Sequence, residues 1–270
     1  MDVFDIHHHI GAIAQVMGTV RGIADPEEEY AARVRSMTED GVAMAAVLPA
    51  TGYLQPEGIK DTMRVNDAIA AYRARDPQRF PVACGTVEPL HGERSLEELD
   101  RIHHELRLDG VVWHHRFQGA PIDADIMFPL VRRAGELGLV PFIHLIPVST
   151  FEAPWRLERL ALEFPDVTFV ALDGFSGSAD YCHMVMDIGK RLPNVLFDIS
   201  LFYSGSVFLK TLVDTIGSER VLFGSDVYAE LATRMAAAPS LMHIVRSADI
   251  TETDKANILG ENARLLFRVG

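Results

Sequence analysis

The stretch VFDIHHHIGAIAQ, residues 3–15, decides the fold. It opens as a strand-length apolar run carrying three histidines and continues without a glycine-rich turn. A doubly wound dinucleotide-binding sheet needs such a turn directly after its first strand, so the open-sheet alternative lacks its signature. Working outward, further runs of strand length follow: VAMAAVLP (42–49), PVACGTVEP (81–89), GVVWHHR (110–116), LVPFIHL (139–145), TFVALDG (168–174), VLFDISL (195–201) and VLFGSD (221–226). Most are continuously apolar, as parallel strands covered on both faces are. With the first run they make eight, the number that closes a barrel, and 270 residues is an ordinary barrel length. The expected fold is α/β, a (β/α)8 TIM barrel forming one domain over residues 1–270.

Helical stretches separate the strands. Asp25-Pro26 places a cap before a proline, with Glu28 completing a capping box, and Tyr30, Val34 and Met37 then share one face. Ser95 and Glu98 repeat the capping pattern. Asp123 is expected to open a helix whose stripe runs through Ile126 or Met127, Leu130, Val131, Ala134 and Leu137, with Gly138 closing it. Residues 251–270 read as one or two closing helices.

Composition excludes several classes. The net charge of −13 argues against nucleic acid, whose phosphates call for a basic surface. No segment approaches the roughly 18 uninterrupted apolar residues of a membrane span. Cys84 and Cys182 stand far apart in no disulfide or metal spacing, which suits a reducing compartment. The N-terminus lacks the basic and apolar regions of a secretory leader, so a cytoplasmic protein is expected.

On a strand, residues two apart point the same way, so Asp5, His7 and His9 share a face and His8 takes the other. Two imidazoles so placed can grip one divalent ion, with Asp5 supporting the strand as an acceptor. His144 and Asp226 end later strand runs and so reach the same mouth. Singly, a histidine run is a surface patch, His144 a structural imidazole and Asp226 a helix cap. Jointly, His7, His9, His144 and Asp226 make a nitrogen and oxygen ligand set with a position left for water. Zn2+ fits that set best, and Mn2+ or Fe2+ can serve it.

These residues also carry a resemblance. FDIHHHI is similar to the D-x-H-x-H first-strand motif of the amidohydrolase superfamily, GLVPFIHL to its fifth-strand histidine, and RVLFGSD to its eighth-strand aspartate. ILGENARLLF resembles its closing helix. The sequence thus resembles the amidohydrolase-related branch of small TIM-barrel hydrolases and decarboxylases, from Asp5 to Phe267. The resemblance implies that His7, His9, His144 and Asp226 bind metal and that Asp226 handles the proton of an attacking water. One position departs: Asp173 stands where the sixth-strand histidine is expected. An aspartate there can accept a proton, bind metal or orient a cation.

Other residues fall near the mouth. Arg116 suits a substrate carboxylate, and His114 a carbonyl or leaving group, with Gln118 a partial match to lactonase relatives. Phe175, Phe202, Tyr203 and Tyr228 are candidates for the wall of a flat substrate pocket. Asp198 reads as a buried polar support without an assigned task. His91, His103, His104, His183 and His243 read as solvated or packed.

The expected activity is hydrolysis of a small lactone, ester or amide by metal-activated water, with Asp226 as base and Asp226 or Asp173 returning the proton. The alternative is a lyase that decarboxylates or hydrates an unsaturated or aromatic acid, against which the missing sixth-strand histidine counts. A non-catalytic binding barrel is the third reading. The expected partner is a small-molecule substrate, with a homodimer as the generic assembly.

Overall fold

The computed structural model describes residues 2–11, 13–14, 20–21, 25–50, 56–200, 202, 205–228 and 238–270. Its parallel strands are β1 (Val3–Ile10), β4 (Val42–Pro49), β5 (Val82–Thr86), β6 (Gly110–Trp113), β7 (Val140–His144), β8 (Phe169–Leu172), β9 (Val195–Asp198), β10 (Val221–Leu222) and β11 (Val227–Tyr228). A separate antiparallel pair, β2 (Ile13–Ala14) and β3 (Val20–Arg21), follows β1. The order is β10-β9-β8-β7-β6-β5-β4-β1-β11. Because β10 pairs with β9 while β11 pairs with β1, the eighth barrel strand is one run in two pieces. Between them the Ile6 N–H donates to Phe223 O at 2.9 Å, and the ring closes as a TIM barrel.

Alternate residues fill its two layers. Phe4, Ile6, Ala46, Leu48, Val82, Cys84, Val112, Phe142, Val170, Leu172 and Leu222 form one buried cluster, the barrel interior. Val47, Val111, Ile143, Phe169, Ala171 and Phe197 join a second cluster that includes residues of the surrounding helices. Gly110 is fixed by this closeness, since a Cβ there would lie 2.6 Å from Val140 O.

The helices include α1 (Pro26–Asp40), α2 (Ile59–Arg75), α3 (Glu93–His104), α4 (His115–Gln118), α5 (Met127–Leu137), α6 (Pro154–Glu163), α7 (Ala179–Arg191), α8 (Gly205–Ile216), α9 (Ala238–Ser247), α10 (Glu252–Ala256) and α11 (Asn262–Phe267). Asp25 caps α1 by accepting from the Glu27 and Glu28 N–H groups at 2.9 Å each. Gly138 ends α5 at φ 71°, as its position predicts. Asn262 of α11 donates to Ser218 O and Val221 O, tying the closing helix to the eighth strand, and Phe267 stacks on Phe142. Among the described residues no helix is long and apolar enough to cross a membrane.

Several local expectations are corrected. Ser95 does not cap a helix; it lies inside α3 and its hydroxyl donates to Glu88 O, while Glu98 accepts from Asn66 and Arg101. Asp123 lies ahead of α5 and accepts from Arg156. The region from β6 to α4 also differs: β6 ends at Trp113, because the Phe117 and Gln118 N–H groups fold back onto His114 O. Strand parity therefore does not govern His114 and Arg116.

Candidate metal centre

The first strand alternates through its three histidines, but the alternation breaks between them and Asp5. A bulge between Asp5 and His8 sets an extra residue opposite β4, so His8 pairs with Val47 and His9 with Leu48. Asp5 therefore parts from the face of His7 and His9 and meets His8 instead, 3.1 Å from its Nε2. His7 and His9 turn together to the mouth, with their Nε2 atoms 2.9 Å apart. Asp226 Oδ1 lies 3.5 Å from the first and 3.3 Å from the second.

The other nitrogen of each ring fixes its tautomer. His9 Nδ1 lies 3.0 Å from Pro49 O, which can only accept, so Nδ1 carries the hydrogen and Nε2 holds a lone pair. His7 Nδ1 lies 2.8 Å from Asp198 Oδ2, a carboxylate–histidine arrangement that aims Nε2 inward. Burial lowers the His9 pKa, and the charge of His7 adds to this. For His7 burial also works downward, but the bond to Asp198 and the charges of Asp173, Asp198 and Asp226 raise it to about 10. Two inward nitrogens and a carboxylate so close require a cation or a proton between them. The donor set fits a divalent metal: the ligand atoms of His7, His9 and Asp226 lie within 4.8 Å of one another.

His144 stands beside this group, bonded elsewhere. Its Nε2 lies 2.9 Å from Asp173 Oδ2 and its Nδ1 3.1 Å from Glu152 Oε2. Burial lowers its pKa, but Glu152 and Asp173 outweigh that and lift it to about 9. Burial pushes the Asp173 carboxyl upward, yet His144, His7 and Ser200 hold it well below the usual range, so it is ionised. Asp198 is raised, by burial first and the Asp173 charge against the pull of His7. Ser200 Oγ links the two carboxylates at 2.5 Å and 2.7 Å, and Asp198 Oδ1 accepts the Asp173 N–H at 2.9 Å. His7, Asp173 and Asp198 form a second close group of possible ligand atoms.

Asp173 and Asp226 both take positive φ, 58° and 53°. Non-glycine residues held there are uncommon, and aspartate is among the few that tolerate the region. Gly224 is needed beside them: a Cβ would lie 2.6 Å from Asp198 Oδ2 and 3.0 Å from His7 Cβ.

Of the remaining candidates, His114 is buried with its ring 4.6 Å from His144 and 5.4 Å from His9. Burial, then the charges of His144, His9, His7 and Arg116, keep it neutral. Tyr228 stacks on His9 with ring centroids 4.6 Å apart. Arg116 on α4 lies 3.6 Å from Glu152 and over the Phe117 ring, with about a third of its side chain exposed. Phe175 is no wall of the mouth: its ring is enclosed by Phe197 and Phe202 between strands and helices. Tyr203 lies outside the described residues. Gln118 accepts the His114 N–H and donates to Val87 O. Asp198 has the task the sequence withheld, orienting His7. Its place at a strand end was the available signal, whereas Glu152, in the loop before α6, gave none.

The sequence model of the family described as amidohydrolase matches residues 4–269. The chain belongs to that family. This amidohydrolase-family chain is 25% identical over 271 residues to a protein of Dictyostelium discoideum named 2-amino-3-carboxymuconate-6-semialdehyde decarboxylase, covering 86% of the chain and 74% of that protein. Its fold is similar to that of 5-carboxyvanillate decarboxylase from Sphingomonas paucimobilis (TM-score 0.75, 19% identity, 100% of this chain and 99% of that one). It also resembles 5-carboxyvanillate decarboxylase from Novosphingobium aromaticivorans, solved with manganese and 4-hydroxy-3-methoxy-5-nitrobenzoic acid (TM-score 0.68, 20% identity, 88% and 79%).

These relatives correct the expectation of hydrolysis: they are named as decarboxylases, the activity first placed second. The argument against it rested on the missing sixth-strand histidine. Asp173 occupies that place with its Oδ2 2.9 Å from His144 Nε2, so a group able to exchange a proton stands beside the candidate ligands there as well.

Proposed function

We propose that this protein is a metal-dependent decarboxylase of an unsaturated or aromatic carboxylic acid. The observation that carries the reading is the Asp173–His144 pair, a held proton set beside the converged His7, His9 and Asp226. The curated relative named as a decarboxylase supports the same reaction.

His7, His9 and Asp226 would hold the metal, with His144 as fourth ligand. A bound divalent metal supplies Lewis-acid stabilisation of the negative charge left as carbon dioxide departs. Asp226 is then a ligand, and no attacking water requires a base. For His144 to bind metal its Nε2 proton must leave, and Asp173 Oδ2, 2.9 Å away, is placed to take it. Asp173 would deliver a proton to the carbon from which the carboxylate has gone and take up a fresh one from solvent before the next turnover. One proton enters and one carbon dioxide leaves in each turnover. Glu152 steadies His144 through Nδ1, and Asp198 steadies His7. His114 and Tyr228 line the approach, and Arg116 is the cation for a substrate carboxylate.

Zn2+ is the proposed metal from the imidazole-rich donor set, with Mn2+ and Fe2+ as competitors. The substrate is a small molecule, and we propose a homodimer acting on neither nucleic acid nor membranes. The test is a panel of hydroxybenzoates and muconate-type acids incubated with metal-loaded enzyme, reading carbon dioxide and the product one carboxylate shorter. Turnover that survives complete metal removal, or ester and lactone cleavage without carbon dioxide, overturns the reading.

A further inference from the structure

Behind β1, on the side away from the mouth, an arginine is sealed inside the protein. Arg33 of α1 is 0% exposed, and its partner Glu29 is 4% exposed. Glu29 Oε1 accepts from Arg33 Nε at 3.1 Å and from Nη2 at 2.5 Å. The rest of the guanidinium faces the strands. Nη2 donates to His9 O at 2.5 Å, Nη1 reaches Val227 O at 3.5 Å, and Nη1 lies 3.2 Å from His8 Nδ1.

An arginine can only donate, so His8 accepts at Nδ1 and carries its hydrogen on Nε2. That Nε2 lies 3.1 Å from Asp5 Oδ2. Asp5 in turn accepts the His7 and Ser225 N–H groups at Oδ1, 3.0 Å each, and the Ser225 hydroxyl at Oδ2. The chain Arg33–His8–Asp5 therefore runs between β1 and the segment leading through Asp226. At both ends it fastens to backbone next to a proposed ligand: His9 and Val227 above, His7 and Ser225 below.

This seam needs fastening. The backbone pairing of β1 with β11 is short, His8 with Val227 and His9 with Tyr228, and Asp226 is held at positive φ beside it. A buried ion pair is a poor source of stability compared with apolar packing of the same volume, so its place here points to geometry.

We infer that Arg33 is a positioning residue for the metal. By bridging the His9 and Val227 carbonyls it fixes the separation of His9 Nε2 from Asp226 Oδ1, with His8 and Asp5 extending the clamp. The inference rests on the metal-site reading above.

The test uses the full-length protein prepared metal-free, as the parent and as Arg33→Lys, Arg33→Met and Asp5→Asn. The dissociation constant for Zn2+ is measured by competition with a chromogenic chelator, beside the thermal melt of each metal-free protein. Lysine keeps the charge, but the donors of its single nitrogen cannot reach Glu29, His8, His9 O and Val227 O together as the guanidinium fork does, so a folded Arg33→Lys should bind about 10–100-fold more weakly. Arg33→Met should lie further from the parent, so lysine is a partial rescue. Asp5→Asn keeps an acceptor for both N–H groups but puts an N–H donor where Oδ2 accepts the Ser225 hydroxyl and faces His8 Nε2, and should weaken binding in the same direction. Folded Arg33→Lys with affinity within about twofold of the parent overturns the clamp and leaves the metal site standing. Should neither Arg33 variant fold, Asp5→Asn decides by the same criterion. A parent that binds no divalent metal at all overturns the site and the clamp together.

Discussion

Asp173 and Asp226 hold backbone conformations that most side chains resist, which makes asparagine the informative substitute at both. Asparagine tolerates positive φ nearly as well, so the exchange removes charge and basicity while sparing the turn. Asp173→Asn should leave the far-ultraviolet spectrum and metal content near those of the parent and lower turnover at least about 100-fold, read as carbon dioxide release. Near-normal turnover would place the proton elsewhere. His7 supplies a second residue-scale test. Its pKa is raised to about 10 without metal, so over the neutral range a proton sits where the metal must bind. Raising the pH removes that proton, and apparent metal affinity should climb about tenfold per pH unit until the pH passes the His7 pKa. Calorimetry in buffers of different ionisation enthalpy should show proton release on binding; affinity flat across the neutral range would mean that Nε2 is already bare.

At the scale of elements, legibility followed periodicity. The run VAMAAVLP became β4 with the same bounds, because the strand is apolar throughout and its last five residues are all buried. Polar strand ends were legible in part: His7, His9 and Asp226 lie together, whereas His144, grouped with them by position, meets Asp173 and Glu152 instead. Features that hydrophobic pattern does not encode stayed hidden. The β1 bulge separates Asp5 from His7 and His9, although parity groups them. The turn at His114 depends on backbone bonds to one carbonyl, and the buried face of α1 carries Arg33 as well as apolar Met37. Asp198 needed the eighth strand's Gly224 beside it, a contact between distant parts of the chain. Gly224→Ala should therefore push Asp198 from His7 and weaken metal binding about tenfold. Unchanged affinity would show that the Asp198–His7 bond is incidental.

Taken whole, the barrel closes through its least regular strand, and the proposed metal ligands stand on both sides of that closure. Among the described residues β10 pairs only with β9 and β11 only with β1, and the residues between them include Asp226. His7 and His9 sit on β1, across the seam, so an ion held by all three joins the first strand to the eighth. Metal that binds the folded chain alone stabilises it by mass action, about 2.7 kcal/mol at a free concentration of 100 times the dissociation constant. For a chain of this size that corresponds to a rise of roughly 5–10 °C in Tm. Metal-free protein should therefore melt about that much earlier than protein with saturating Zn2+, and adding the ion back should restore the difference. Asp226→Asn separates this from unspecific ion binding, because it removes a charged ligand on the eighth strand while its backbone keeps the same turn. In that variant the metal-dependent rise should shrink to a small fraction of the parent's. A parent whose Tm ignores saturating metal, or an Asp226→Asn variant that keeps the full rise, would show that no ion bridges the seam.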